Sequence, residues 1–426
     1  MRIPIIIFVL ISFPFMAFPQ NLKKISGKVI DEETKEPLSY ASVLIKEKQI
    51  GTVTNADGEF DFYIPSLYTQ DTLLVSMMGY SSYQVVVAEI NVPQKLLVRL
   101  AIKSIQLSEV VVTDAKITAK EIITKAFENV ENNYPVKPYK LGGFYRETHQ
   151  ENERSVILVE AALDIYDNGY KPTGNRPPER EKINLVNSRA SKNYRNDLFS
   201  NTGREKWNLV AGALSYNPVK YPDPNIRKKR TSKDFTIDST TYYNDRLVYV
   251  ISFFSYIPRF PNFERKNTLY VDALNYSIYK YGWEEYAKKE KYSETPWRLS
   301  KDSFYFSKRK RISTIYEFGE YQGKMFLKYF DEKAIDDIYN SKGDSVEFET
   351  LGHVTMVVTE IETEKMEVEE TMRRDQSIHS QVKKYNPSFW SNHDQIKLVP
   401  LTKRQINDLE WEMPLEEQFK KQFIKK

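Results

Sequence analysis

Apolar and polar positions alternate with a period of two along most of this chain, in short runs broken by turn residues. That is the pattern of half-buried β-strands. Ile25-Ser-Gly-Lys-Val-Ile30 alternates, a polar loop follows from Asp31 to Leu38, and Tyr40–Lys46 alternates again. Thr52, Val53 and Thr54 favour strand, as do Phe60, Phe62 and Ile64 on alternate positions. Between them Asn55-Ala-Asp-Gly58 supplies a tight turn, and the spacing predicts a β-hairpin with Asp57 and Gly58 at positive backbone dihedrals. Asn55, Asp57 and Gly58 are therefore read as structural turn residues. Thr72–Met78 is nearly all apolar, as a central strand would be, and Gly79-Tyr80 turns the chain. Tyr83–Val87 and Lys95–Leu100 bring the count to about seven strands at sandwich spacing.

The period then changes. Thr118-Ala-Lys-Glu121 is a capping box, followed by Ile122, Ile123, Ala126, Phe127 and Val130 at helical spacing, and Asn132-Asn-Tyr-Pro135 ends the helix. From Tyr139 the chain is β again, with runs such as Ser155–Tyr166, Leu247–Phe254, Asn267–Asp272, Tyr276–Trp283, Ile312–Phe330 and Val354–Thr359. Tight connections at Tyr243-Asn-Asp-Arg246 and Asp272-Ala-Leu-Asn275 imply an antiparallel meander. One long meander led by a helix predicts a curved, partly closed sheet wrapped round that helix.

The fold class is thus mainly β: a seven-stranded immunoglobulin-like sandwich, a linker helix, and a large curved antiparallel sheet, a half-barrel, with few helices. The expected boundaries are 1–20 (signal peptide), 21–103 (sandwich), 104–134 (linker strand and helix), 135–400 (half-barrel) and 401–426 (helical tail). The tail opens on a second capping box at Thr402-Lys-Arg-Gln405 and continues through Leu415, Phe419 and Phe423. Residues 171–233 are expected to interrupt the meander, with a short helix near Arg204–Leu214.

Four motifs resemble the carboxypeptidase-regulatory-like domain family: Ser26-Gly-Lys-Val-Ile-Asp31, Pro37-Leu-Ser-Tyr-Ala-Ser-Val43, Gly51–Phe60 and Met78-Gly-Tyr-Ser-Ser-Tyr83. The resemblance spans about a fifth of the chain and implies a small transthyretin-like sandwich without catalytic residues. Leu107-Ser-Glu-Val-Val-Val-Thr113 resembles a segment that follows this domain in envelope proteins, near the region that the energy-coupling protein TonB touches in some outer-membrane receptors. A plain linker strand is the simpler reading, because no plug or long barrel follows. Asn267–Tyr281 resembles half-barrel envelope proteins of the lipoprotein-carrier type. Asn386–Trp390 and Leu415–Phe419 resemble the end of the soluble region in larger relatives that continue into an outer-membrane barrel, which this chain is expected to lack.

The first twenty residues add a compartment. Arg2 precedes the apolar run Ile5–Ile11, of signal-peptide length, and Pro14 with Gln20–Lys24 stops it well short of about 20 apolar residues. A retained membrane anchor is the competing reading. No later segment is long and apolar enough to span. The chain has no Cys, which excludes disulfides, thiolate catalysis, Cys-ligated zinc and a lipid-bearing cysteine. It is expected to be exported and periplasmic or associated with the outer membrane.

Candidate chemistry is sparse. The four histidines, His149, His353, His379 and His393, lack zinc-site spacing. A calcium loop around Asn55–Gly58 fails because Val53 and Ile64 fall where oxygen ligands are needed. No phosphate loop, dinucleotide fingerprint or Gly-x-Ser-x-Gly occurs. No catalytic, cofactor or metal residue is therefore assigned.

Charge is distributed unevenly. The net charge is only +4, yet residues 171–233 hold fifteen Lys/Arg against five Asp/Glu, leaving the remainder near −6. Arg227, Lys228, Lys229 and Arg230 are the candidate contact for an anionic partner. In an exported chain that means lipid or polysaccharide, or an outer-membrane protein, rather than nucleic acid. The blander alternative is that the insertion docks on the chain's own acidic segments, Glu360–Glu364 and Glu367–Glu370. The expected function is a non-enzymatic envelope binding or assembly and transport accessory. The alternative is a hydrolase or glycan-processing enzyme with a carboxylate site in the concave face; close buried carboxylates would favour it, and a Tyr-lined concavity would favour binding.

Overall fold

The computed structural model describes residues 22–48, 50–103, 117–170, 181–192, 208–222, 226, 235–255, 263–287, 297–298, 306–340, 342–364, 367–391 and 399–421. The expected leader, Leu107–Thr113, Arg227–Arg230 and His393 lie outside them.

Seven strands form the small domain: β1 (Leu22–Asp31), β2 (Ser42–Ile45), β3 (Gly51–Val53), β4 (Glu59–Pro65), β5 (Thr72–Ser76), β6 (Tyr83–Val86) and β7 (Leu96–Leu100). They make a three-stranded sheet ordered β4-β1-β7 and a four-stranded sheet ordered β3-β2-β5-β6. Alternate residues meet between the sheets: Phe60, Phe62 and Ile64 from β4 pack with Ile25 and Val29 from β1 and with Val43, Ile45, Leu73 and Val75 from the other sheet. This core is separate from those of the large sheet.

The expected hairpin at Gly51–Phe62 is not a hairpin. β3 pairs with β2 and β4 pairs with β1, so the Asn55–Gly58 turn carries the chain from one sheet to the other. Period-two alternation identifies both strands but is silent about their partners. The corner is built by side chains. Thr54 Oγ1 donates to Leu38 O and accepts from Ala41 N, while Asn55 Oδ1 accepts from the amides of Asp57 and Glu59. Gly58 takes the positive dihedral, φ +73°; Asp57, expected there too, does not.

The large sheet holds eleven strands: β8 (Tyr139–Glu151), β9 (Arg154–Asp167), β10 (Lys182–Ala190), β11 (Thr236–Tyr243), β12 (Arg246–Ser255), β13 (Phe263–Asp272), β14 (Ile278–Ala287), β15 (Trp297–Arg298), β16 (Phe306–Tyr321), β17 (Lys324–Tyr339) and β18 (Val346–Glu362). Its order is β10-β9-β8-β18-β17-β16-β14-β13-β12-β11, with β15 beside β16, and every pairing is antiparallel. The meander returns at its end, so that β18 inserts between β17 and β8. The sheet is curved and does not close into a barrel.

Its inner face carries α1 (Ala119–Glu128), capped by Thr118 and Glu121 as a full capping box. Ala119, Ile122, Ile123 and Ala126 face the sheet and are buried with Tyr145, Leu269, Tyr281, Tyr316 and Phe318. After a single turn, α2 (Val130–Asn133), Tyr134 is wholly buried and donates to Ile278 O. A third helix, α3 (Leu209–Ser215), joins the same core, and Tyr316 donates to Ala213 O.

Within the expected interruption at 171–233, the structure describes residues 181–192, 208–222 and 226. They supply the edge strand β10 and the core helix α3, whose Val210, Ala211, Ala213 and Leu214 are buried in the large domain's core. The described cations here are mostly paired: Arg189 with Glu160, Lys192 with Glu412, and buried Lys220 with Asp167 and Glu181. The edge of β10 is covered where the amides of Thr371 and Met372 donate to Ile183 O.

Among the described residues near the C-terminus are three short helices: α4 (Pro387–Ser391), α5 (Lys403–Leu409) and α6 (Leu415–Lys421). They pack on the outer face of β9 and β10, where Leu409, Leu415 and Phe419 bury Leu158. Glu160, fully buried, binds them in place. It accepts from Arg146 and Arg189; Arg146 also reaches Val399 O, and Arg189 stacks on Trp390 at 4.2 Å. Among the described residues no helix is long and apolar enough to cross a membrane.

Candidate functional site

Strand register brings a line of polar side chains to one end of the inner face. On β8, Tyr145 donates to Glu147 Oε2 at 2.8 Å, and His149 Nε2 lies 2.7 Å from Glu147 Oε1. On β17, Glu332 accepts from Thr314 of β16, and on β14, two strands from β17, Glu285 is held by Arg265 of β13. Glu332 and Glu147 both face Val354, so β18 lies between them and their Cα atoms are about 10 Å apart at ~4.8 Å per strand. Burial, with the Glu285 and Asp331 charges nearby, raises the Glu332 carboxyl above its ordinary range. Burial also lowers the His379 imidazole, against the pull of Glu147. The rest of this face is aromatic and filled by α1 and α3.

The outer face is where the small domain sits. Tyr40 lies on Tyr329, Val53 packs with Phe144, Tyr329 and Val357, and Gly79 N donates to Tyr242 O. At the rim Ser82 bonds Asn244 and Lys103 pairs with Asp245. Clefts remain along this seam among the described residues, a small one of about 90 Å³ beside Gly51–Val53 and two larger. One, about 250 Å³, is lined by Ser42 and Ser76 from the sandwich and by Tyr279, Lys280, Glu317 and Lys328 from the sheet. The other, about 270 Å³, lies where three parts of the chain meet: the sandwich corner at Asn55, the sheet at Arg146, Ser155, Lys333 and His353, and the segment Val399–Gln405. Between the clefts Asp331 accepts from Tyr329 at 2.9 Å and sits 2.5 Å from His353 Nε2. Burial opposes ionisation of Asp331, but His353 outweighs it and holds the carboxyl below its ordinary range. Burial and the Asp331 charge push the Tyr40 hydroxyl up, so it stays a neutral donor.

Of the residues singled out from the sequence, Asn55 lies at the second cleft, Asp57 and Gly58 form the adjoining corner, and Arg227–Arg230 fall outside the described residues. His149 and His379 approach the inner polar line, while His353 belongs to the seam. Among the described residues no group of three or more His, Asp or Glu could hold a metal ion. Sequence reasoning missed Tyr40, Lys333 and Arg146. No sequence signal marks them; Tyr40 stands out only in the structure, where it takes a left-handed dihedral, φ +60°, uncommon for any residue but glycine.

No curated protein sequence matches this chain. Among solved structures it is similar to an outer membrane lipoprotein-sorting protein domain, so described, from Vibrio parahaemolyticus (8% identity, TM-score 0.27, covering 59% of this chain and 95% of that one). It is also similar to a LolA superfamily protein from Nitrosomonas europaea (13%, 0.23, 59% and 96%) and to a DUF1329 family protein from Desulfovibrio piger (7%, 0.25, 58% and 93%). The family model that matches is that of the CarboxypepD_reg-like domain, over residues 25–112. The chain therefore carries a CarboxypepD_reg-like domain as its N-terminal sandwich, seated on the outer face of a large open antiparallel sheet.

Proposed function

We propose that this is an exported, non-enzymatic envelope protein, periplasmic or outer-membrane associated, acting as a binding or assembly and transport accessory. Its working surface is the seam between sandwich and sheet. The observation that carries this reading is the seam itself: both domains line the same clefts, while helices occupy the inner face. The inner carboxylates support it too, since Glu147, Glu285 and Glu332 each accept from a different neighbour and are not paired with one another. Such an arrangement suits recognition by several convergent polar groups in a concave site.

A hydrolase is the second reading, favoured by one observation: the raised carboxyl of Glu332 shares a face with Glu147, as an acid and a base would. One experiment separates the two. Purified mature protein is tested for co-sedimentation with isolated outer membrane and peptidoglycan, and for turnover of chromogenic esters and glycosides. Saturable adsorption without turnover is expected. Turnover abolished by Glu332→Gln would establish the enzyme instead.

A further inference from the structure

The cleft of about 270 Å³ has an unbalanced inventory of polar groups. Asn55 is 3% exposed; its Oδ1 is used twice by the corner, but its Nδ2, carrying two N–H donors, has no partner. Ser155 is 2% exposed, and its Oγ likewise has none. Lys333 lies above the Tyr40 ring at 5.6 Å and forms no ion pair among the described residues. The carboxylate two residues back on the same face of its strand, Asp331, is engaged by His353 and Tyr329. Arg146 and Arg404 add positive charge, and the one carboxylate of the lining, Glu153, is held by Arg404. Buried donors without acceptors are costly to keep, and two of them in one cleft with the half-buried Lys333 ammonium imply a missing acceptor.

We propose that this cleft binds a small ligand bearing an oxyanion, a carboxylate or phosphate on a body of sugar or glycerol size. The anion would sit against Lys333 and accept from Asn55 Nδ2 and Ser155 Oγ. An oxyanion is the chemistry that fits, because it offers acceptors only and neutralises the ammonium. The volume lies at the lower bound of small-molecule sites, about 300 Å³. Its three walls come from the sandwich, the sheet and the C-terminal segment, so an occupant would bridge all three. The inference rests on the binding reading and gives it a ligand class.

The test is calorimetric titration of the full mature chain with glucuronate, glycerol phosphate and inorganic phosphate at matched ionic strength, with glucose as the neutral control. Glucuronate or the phosphates should bind saturably and glucose should not; which of them binds separates a carboxylated sugar from a phosphate source. Lys333→Met, which keeps the aliphatic stem, should weaken binding at least tenfold. Ser155→Ala should weaken it several-fold, and because its hydroxyl has no partner to lose, it carries the test if Lys333→Met proves unstable. No saturation by any anion, or unchanged affinity in both variants, overturns the site. If adsorption to envelope material persists in that case, the ligand assignment fails while the binding function stands.

Discussion

Tyr40 of the sandwich lies against Tyr329 of the large sheet, ring centroids 5.3 Å apart and planes inclined by 32°. Around this pair gather His353, edge-on to Tyr40 at 6.3 Å, and the Lys333 ammonium. Tyr40 is thus the joint between two separately cored domains. Tyr40→Ala should cost about 2–3 kcal/mol of domain docking, through lost aromatic area and an opened cavity. Thermal unfolding should then resolve two transitions instead of one; a single, unshifted transition would show that Tyr40 is not the joint.

The sandwich is expected to fold alone. Its core cluster is closed on itself, and what it shares with the sheet is surface. A fragment spanning 22–103 should give a cooperative melt and a β-type circular dichroism spectrum. A disordered fragment would mean that the seam supplies part of its stability.

Gly58 tests the corner. Its φ is +73°, and a Cβ there would lie 2.5 Å from Val29 O, a backbone atom that cannot step aside. Gly58→Val should therefore cost at least about 1–3 kcal/mol, the price of a left-handed β-branched residue, with the clash in addition. An unchanged melting temperature would refute the corner geometry.

Much of this was legible in the sequence, for physical reasons that also mark where legibility ends. Phe60, Phe62 and Ile64 alternate because one side of β4 is buried, so the strand could be read. Its partner could not, since β1 and β3 were equally suitable neighbours. Thr118 and Thr402 declared their helices through local capping chemistry. Lys220 could not be read as buried, because its partners, Asp167 and Glu181, are brought to it by the fold. The same holds for Tyr40 and Lys333: a seam depends on two surfaces, and neither surface announces the other.

Glu160 ties stability to pH. Burial alone would raise its carboxyl, but Arg189 and Arg146 outweigh burial and hold it below its ordinary value of 4.5. A depressed carboxylate contributes stability above the unfolded value and loses it as pH falls through the folded one. Wild type should therefore lose stability below about pH 4.5, and Glu160→Gln should flatten that limb. At neutral pH the same substitution should cost about 3–5 kcal/mol, because it leaves two largely covered guanidinium groups without their counter-charge. A pH-independent difference between the two proteins would contradict the assignment.

Glu332 has the opposite sign. A carboxyl raised in the folded state destabilises it once the unfolded chain ionises, so Glu332→Gln should raise the melting temperature at pH 7 and leave it unchanged near pH 3. Equal melting temperatures at pH 7 would show that the group ionises freely.

The central claim is that the fixed seam is the working surface, and the absence of cysteine makes it directly testable. Ser82 and Asn244, from opposite sides of the seam, are in hydrogen-bond contact at 3.2 Å. The double variant Ser82→Cys, Asn244→Cys, treated with a short bis-maleimide, should cross-link within one chain nearly completely. The locked protein should adsorb to outer-membrane material as well as the unlocked one. Failure to cross-link, or adsorption lost on locking, would contradict it.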